Sequence, residues 1–175
     1  MGAPWVAAPM RVLVTGPLNP IGSAVVRALA AAGHQVRAFG VPAGEDPFHG
    51  VANVECYPGH VALGGSIEPV AVECKAIVHC AAFDAPGKDR HAHAVHIERG
   101  ALYTRFGAER DPAERFVALF PASPDRAWHK VVAQAEGHAR GTHPIVAHSI
   151  LRVADPDEAA SKVLQILAQP IVRAA

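Results

Sequence analysis

Residues 15–22 could bind a phosphate group through their backbone. They read Thr-Gly-Pro-Leu-Asn-Pro-Ile-Gly and directly follow a short apolar run. Glycine lets a phosphate approach the backbone, and the N-terminus of a following helix offers free N–H groups and the positive end of its dipole. Asn19 adds a side chain where the approach is closest, and Pro20 removes a donor. The alternative is therefore a capped helix that packs on a strand and binds no nucleotide.

Histidine, with eleven copies, is the most unusual count among side chains that could do acid–base or metal chemistry. His91, His93 and His96 are close in sequence, but offsets of two and five do not bring all three to one helical face. We therefore expect a solvated polar helix face there and no metal site. His79 and Cys80 fall within a predicted buried strand, where successive side chains point to opposite faces. A catalytic Cys/His pair is accordingly not expected.

Composition excludes several classes of function. The chain has 16 basic and 16 acidic residues, so no net charge attracts nucleic acid or an anionic membrane. It lacks the roughly 18 uninterrupted apolar residues of a membrane-spanning helix, and it contains no G-x-S-x-G sequence to indicate a hydrolase. Cys56, Cys74 and Cys80 show no C-x-x-C spacing and cannot all pair within one chain. These features predict a soluble cytoplasmic protein with reduced cysteines.

The elements that would position these residues alternate along the chain. Apolar runs predict strands, and the segments between them have helical composition, with Asn19 as an N-cap, Pro20 in the first turn and Gly33 as a C-terminal stop. Predicted strands cover residues 10–15, 35–41, 51–57, 76–82, 115–120 and 145–153, and predicted helices cover residues 20–32, 66–74, 91–109, 127–138 and 157–168. Such alternation predicts an α/β fold with a doubly wound parallel sheet. At 175 residues we expect a single domain, with residues 1–9 and 171–175 flexible.

Residues 15–22 resemble the Thr-Gly-x-x-Gly-x-x-Gly turn of short-chain dehydrogenase/reductases. The run Gly-His-Gln-Val-Arg-Ala at residues 33–38 is similar to the NAD-dependent epimerase/dehydratase branch of that superfamily, as are residues 76–82 and 114–117 at its fourth and fifth strands. The resemblance implies a Rossmann-like domain that binds NAD or NADP, with the substrate-binding part after the fifth strand reduced or absent. The cofactor-binding residues that it implies are Gly16, Leu18, Asn19, Ile21, Gly22, Ala81 and Lys130.

Three positions that face the cofactor in the family depart from its pattern. Asn19 stands in place of the middle glycine of the turn. The acidic residue that accepts from the ribose hydroxyls at the end of the second strand falls at Gly40, and the acidic residue after the third strand is replaced by Gly59-His60. Arg37, two residues before Gly40, is interpreted as a solvated or edge residue. The ribose-binding part of the site is thus altered.

Catalytic machinery also departs from the family, which pairs a tyrosine with a lysine four residues later. Lys130 resembles that lysine and is the candidate catalytic residue, but Arg126 stands at the tyrosine position and stays protonated. Neither Tyr57 nor Tyr103 has a lysine four residues on, and Ser123 is the only candidate for the family's serine. Ordinary chemistry of the family is therefore expected to be lost.

Three hypotheses remain. The first is a dinucleotide-binding protein with little or no turnover. The second is a non-catalytic structural or regulatory protein that lost nucleotide binding and acts through a homo-oligomer or a protein partner. The third is an active oxidoreductase or epimerase with an unconventional acid.

Overall fold

The computed structural model describes residues 8–171. This part of the chain contains six strands and five α-helices, which alternate except that β3 follows β2 directly. The strands are β1 (Arg11–Thr15), β2 (Gln35–Phe39), β3 (Val54–Tyr57), β4 (Ala76–His79), β5 (Arg115–Pro121) and β6 (Ala147–Val153), and the helices are α1 (Pro20–Ala31), α2 (Glu68–Ala71), α3 (Arg90–Arg110), α4 (His129–Arg140) and α5 (Pro156–Ala168). The predicted flexible ends, residues 1–9 and 171–175, lie mostly outside the described residues.

All six strands form one parallel sheet in the order β3-β2-β1-β4-β5-β6. The chain runs outward from β1 to β3, then crosses back to place β4 on the other side of β1. Helices cover both faces of the sheet, as the right-handed crossovers between parallel strands require. The predicted fold class, a doubly wound Rossmann-like α/β domain, is confirmed.

Successive side chains of the central strands point to opposite faces of the sheet and pack into two apolar layers. Val12 and Val14 of β1 join the layer under α1 and α5, whereas Leu13 joins the layer under α3 and α4. In β5, Val117 belongs to the first layer and Phe116 to the second. The period of two along each strand thus fills both layers from a sheet that is buried on both faces.

Helix α1 begins and ends as its sequence predicts. The Asn19 side chain caps it by accepting a hydrogen bond from the Gly22 N–H at 2.8 Å, and Pro20 occupies the first turn. After the helix, Gly33 adopts φ +89° and the His34 N–H donates to the Leu29 carbonyl. This left-handed C-terminal turn favours glycine because a Cβ atom would be strained there.

Several predicted boundaries were wrong. The helix predicted at 66–74 is reduced to α2, because Val72 is extended and Glu73 adopts φ +62°. Strand β4 stops at His79, where a short 3₁₀ turn (Ala81–Phe83) follows, and β2 stops at Phe39 before Gly40 takes φ +104°. In each case a local backbone turn ends the element before its apolar run ends.

Helix α3 is longer than predicted although it contains two glycines. A Cβ at Gly100 would lie 2.9 Å from Cγ2 of Val61, and one at Gly107 would lie 2.7 Å from Cγ2 of Ile67. The glycines therefore let α3 pack close to these side chains, which offsets their lower helix propensity.

None of the helices within residues 8–171 combines the length and the apolar character needed to cross a membrane.

Candidate functional site

A cleft of about 200 Å³ lies outside the carboxyl ends of the inner strands. Gly16 follows β1, Gly40 follows β2, His60 follows β3 and Asp84 follows β4, and all four line the cleft. Strand order reverses between β1 and β4, and ligands of doubly wound sheets bind in the crevice at such a reversal. The topology therefore identifies this cleft as the candidate site.

The turn between β1 and α1 forms one wall of the cleft and is tightly packed. Gly16 adopts φ +68°, and a Cβ there would lie 2.6 Å from the backbone of Ala81. A Cβ at Gly22 would lie 1.9 Å from the Gly16 carbonyl oxygen. Both glycines are thus required by the packing of the turn itself, whether or not a ligand is present.

Asn19 ties this turn to the end of β4. Its Nδ2 donates to the Cys80 carbonyl at 2.9 Å and to Asp84 Oδ1 at 2.7 Å, while its Oδ1 accepts from Gly22. All the hydrogen-bonding capacity of the amide nitrogen is used within the protein. The side chain that replaces the middle glycine is therefore buried under the turn.

Asp84 and His96 form a polar pair at the mouth of the cleft. The His96 Nε2 and Asp84 Oδ2 are 2.7 Å apart, and both side chains are mostly buried. The His60 ring meets the His96 ring edge to face, with centroids 5.1 Å apart. Asp84 was not predicted as a site residue. The one sequence feature that could have indicated it is its position shortly after β4, because ligands of such sheets bind beyond the carboxyl ends of the strands.

The solvated face predicted for His91, His93 and His96 was wrong for two of the three. Only His91 is exposed. His93 is buried against Trp128, with ring centroids 4.6 Å apart, and burial lowers its pKa, as does nearby His96. Within residues 8–171, no three His, Cys, Asp or Glu side chains converge so as to hold a metal ion.

His79 lies completely buried beneath the cleft. Its Nδ1 is 2.8 Å from Thr15 Oγ1 and 3.1 Å from Thr104 Oγ1, and its Nε2 is buried with no hydrogen-bond partner among the described residues. Desolvation lowers the pKa of His79 to about 4. Cys80 is also fully buried, and desolvation raises the pKa of its thiol, so neither group is poised as a nucleophile and base.

The end of β2 offers no polar acceptor to the cleft. Phe39 and Gly40 line it there, and the Phe39 ring fills the space next to Gly59. The prediction that Arg37 is a solvated or edge residue was wrong. Strand β2 lies between β3 and β1, and the Arg37 guanidinium donates to the Val70 and Val72 carbonyls at 2.7 and 2.9 Å. It therefore connects β2 to α2.

The residues proposed from sequence as a site fall into three groups. Gly16 and Leu18 line the cleft, and Leu18 is 48% exposed. The residues Asn19, Ile21, Gly22 and Ala81 are buried around the turn. Lys130 is exposed in the first turn of α4 and is not one of the cleft-lining residues.

The cleft fits part of a nicotinamide dinucleotide. The start of α1 leaves the Ile21 N–H for a diphosphate, since Pro20 has no N–H and the Gly22 N–H is bonded to Asn19. Within residues 8–171, the lining has no carboxylate at the end of β2 to accept from ribose hydroxyls. The cleft is also smaller than the roughly 300–1,000 Å³ of typical ligand pockets. A dinucleotide would therefore be only partly enclosed.

Two larger concavities lie away from this cleft. One of about 390 Å³ is lined by Met10, Lys75 and Arg115 at the amino ends of β1, β4 and β5. The other, of about 400 Å³, is lined by Glu68 of α2 and Arg110 of α3. Neither is at the carboxyl edge of the sheet, where the topology expects a ligand.

No protein-family model matches the sequence, and no curated protein matches it either. Solved structures do match its fold. The enzyme WbmH of Bordetella bronchiseptica, solved with NAD+, is 18% identical with a TM-score of 0.69 over 84% of this chain and 57% of its own. WbmG of the same organism, solved with NAD and UDP, is 19% identical with a TM-score of 0.71 over 83% of this chain and 53% of its own.

A UDP-glucose 4-epimerase of Thermotoga maritima, solved with UDP-glucose, is 17% identical with a TM-score of 0.66; the match covers 82% of this chain and 55% of the epimerase. At such identities these likenesses show the fold. The chain spans little more than half the length of these matched structures.

Proposed function

We propose that this chain, which has the Rossmann fold seen in NAD-dependent epimerases and short-chain dehydrogenase/reductase proteins, binds a nicotinamide dinucleotide with little or no turnover. The cleft at the reversal of strand order, with the glycine turn as one wall, carries this proposal. Structures of the same fold that were solved with NAD support NAD or NADP as the ligand.

In the proposed complex the turn holds the diphosphate. Gly16, Leu18, Asn19, Ile21, Gly22 and Ala81 form or support the surface that it would meet. The proline at position 20 has no N–H and the Gly22 N–H is used by the Asn19 cap, so the Ile21 N–H is the free donor of the first helical turn. A bound dinucleotide supplies hydride transfer at its nicotinamide ring. We also propose that Lys130, in the first turn of α4, contacts the ribose and is the candidate catalytic residue.

The tyrosines support the absence of ordinary turnover. Neither Tyr57 nor Tyr103 is among the cleft-lining residues in the described part of the chain. The Tyr57 hydroxyl donates to Glu55 Oε2 at 2.8 Å, and this bond raises the pKa of Tyr57, whereas an acid–base tyrosine needs a lowered one. The exposed Arg126 stands four residues before Lys130 and remains a cation.

A non-catalytic structural or regulatory protein is the second candidate. It is favoured by the charge of the cleft, since among residues 8–171 the lining contains Asp84 as its only carboxylate and no lysine or arginine. Exposed apolar side chains such as Ile145 and Leu63 would suit contacts in a homo-oligomer or with a protein partner. The free thiols of Cys56, Cys74 and Cys80 agree with the proposed cytoplasmic location.

Native mass spectrometry with NAD, NADP and their reduced forms tests the proposal, since it reports ligand and oligomeric state together. We expect one dinucleotide per chain. Leu18→Glu, which adds a carboxylate to the cleft wall, should weaken binding at least tenfold by repelling the diphosphate.

Ile145→Glu is the matched control, because Ile145 is 55% exposed and precedes β6 at the opposite edge of the sheet. It should leave binding unchanged. A ligand-free oligomer unaffected by near-millimolar dinucleotide would overturn the proposal and favour the second candidate. Equal loss of binding in both variants would also contradict the assigned site.

A further inference from the structure

We infer that His96 binds a phosphate group of the ligand only when its imidazole is protonated, with His60 as a second donor. This inference rests on the proposed function in that the phosphate is taken to be part of a nucleotide. The site joins Asp84, which follows β4, His60, which follows β3, and His96, which lies in the N-terminal half of α3, in one cleft.

Charge in the cleft makes such a proton necessary. Asp84, His60 and His96 are the ionisable side chains of the lining. With neutral imidazoles the cleft carries the single negative charge of Asp84, which repels phosphate. Protonation of an imidazole is the one change within this lining that supplies a positive partner for an anion.

Hydrogen bonding decides which nitrogen of His96 receives the proton. An ionised carboxylate only accepts, so the His96 nitrogen 2.7 Å from Asp84, Nε2, carries a hydrogen. In the neutral ring Nδ1 then presents a lone pair, which a phosphate oxygen avoids. Protonation turns Nδ1 into a donor, and Asp84, itself held by Asn19, stabilises the resulting cation.

His60 needs no added proton to take part. Its Nδ1 accepts from the Ala62 N–H at 3.2 Å, so its Nε2 carries the hydrogen in the neutral ring. The neutral His60 ring therefore offers the Nε2–H as a donor. Phosphate binding should accordingly take up one proton, at His96.

Three other titratable or charged side chains lie around His96. His93 stacks on the His96 ring at 6.3 Å, and its pKa is lowered by burial and by His96. His79, with a pKa of about 4, stays neutral above pH 5. Arg90 lies over the ring of Trp128, which also contacts His93, and is not one of the cleft-lining residues. The cation closest to the phosphate would thus be His96.

Calorimetry with NAD, sodium pyrophosphate and adenosine tests the inference. Titrations at pH 6 and pH 8, in buffers of different ionisation enthalpy, count the protons taken up on binding. We expect uptake approaching one proton for NAD, none for adenosine, and NAD affinity that falls by up to about tenfold per pH unit. Pyrophosphate itself binds a proton in this pH range, so it tests whether a bare diphosphate binds and does not count the proton at His96.

His96→Gln should abolish both the uptake and the pH dependence, whereas His60→Gln should weaken binding and keep the uptake. His91→Gln is the control, because His91 is exposed on the same helix and does not line the cleft. Circular dichroism of each variant verifies folding. If His96→Gln does not fold, the proton count of the unaltered protein decides.

The outcomes separate this inference from the proposed function. NAD binding without proton uptake would overturn the inference and leave the proposed function standing, with neutral His96 accepting from a sugar hydroxyl. Pyrophosphate binding that His96→Gln removes, with no binding of NAD, would support the inference and overturn dinucleotide binding. No binding of either at pH 6 would overturn both.

Discussion

Burial of His79 makes the fold dependent on pH. The ring is fully enclosed, and desolvation, opposed by the charge of Asp84 and reinforced by His96, lowers its pKa to about 4 from 6.5 for an unperturbed histidine. The unfolded chain therefore binds a proton at this residue before the folded chain does. Its contribution to stability is complete above pH 6.5 and is lost as the pH falls toward 4.

We predict that the free energy of unfolding falls by about 2 kcal/mol between pH 7.5 and pH 5 through His79 alone. His34 and His93, whose pKa values are also lowered by burial, add to the loss. Urea titrations at the two pH values measure it. His79→Asn should be less stable at pH 7.5 but lose less on acidification, whereas the exposed His91→Gln should behave as the unaltered protein. An equal acid loss in His79→Asn would contradict the assignment.

At the scale of elements, the start of α1 does more than cap a helix. Asn19 satisfies the Gly22 N–H and also connects the turn to the Cys80 carbonyl and to Asp84. Asp155, by contrast, caps α5 at an exposed position through one bond to the Glu158 N–H. The two caps therefore allow the capping bond to be compared with the added cross-links.

We predict that Asn19→Ala lowers the free energy of unfolding by about 2–3 kcal/mol, against about 1 kcal/mol for Asp155→Ala. The difference reflects two lost side-chain bonds and the buried acceptors left behind. Chemical denaturation of both variants at pH 7.5 measures it. Equal losses would show that the bonds to β4 add nothing beyond capping.

Local signals allowed most elements to be predicted and left their ends uncertain. Asn19, Pro20 and Gly33 describe α1 because capping depends on neighbouring residues. The stop of β2 at Phe39 and the shortening of α2 depend on backbone turns that the apolar pattern does not reveal. A helix cap can be predicted because it depends on neighbouring residues, whereas element ends without such a signal are set by tertiary packing.

The candidate site was predictable in place and not in detail. Gly16 and the strand that precedes it located the cleft, because topology puts ligands at carboxyl strand ends. The contact between Asn19 and Asp84 joins residues 65 positions apart, and no sequence pattern links them. No sequence pattern links His60 and His96 either. Their rings are in contact because the end of β3 and the N-terminal part of α3 lie at the same edge of the sheet.

On the scale of the whole molecule, two apolar layers share one sheet. Leu29 of α1 belongs to one layer, and Trp128, before α4, packs against the other. Strands β1, β4 and β5 contribute side chains to both layers, so loss of packing on one face disturbs the strands that support the other. We propose that residues 8–171 form a single domain that unfolds as one cooperative unit.

Leu29→Ala tests whether the two layers unfold cooperatively, because the substitution is in one layer and Trp128 reports unfolding of the other. We predict a loss of about 3 kcal/mol and a fall in Tm of about 6–12 °C, for a fully buried leucine in a domain of this size. Trp128 fluorescence, in a background with Trp5→Phe, should report the same Tm as circular dichroism. Leu63→Ala, at a side chain 63% exposed, is the control and should change stability by less than about 0.5 kcal/mol. A Trp128 transition that stays at its original temperature while the circular dichroism transition shifts would mean that the two layers unfold separately.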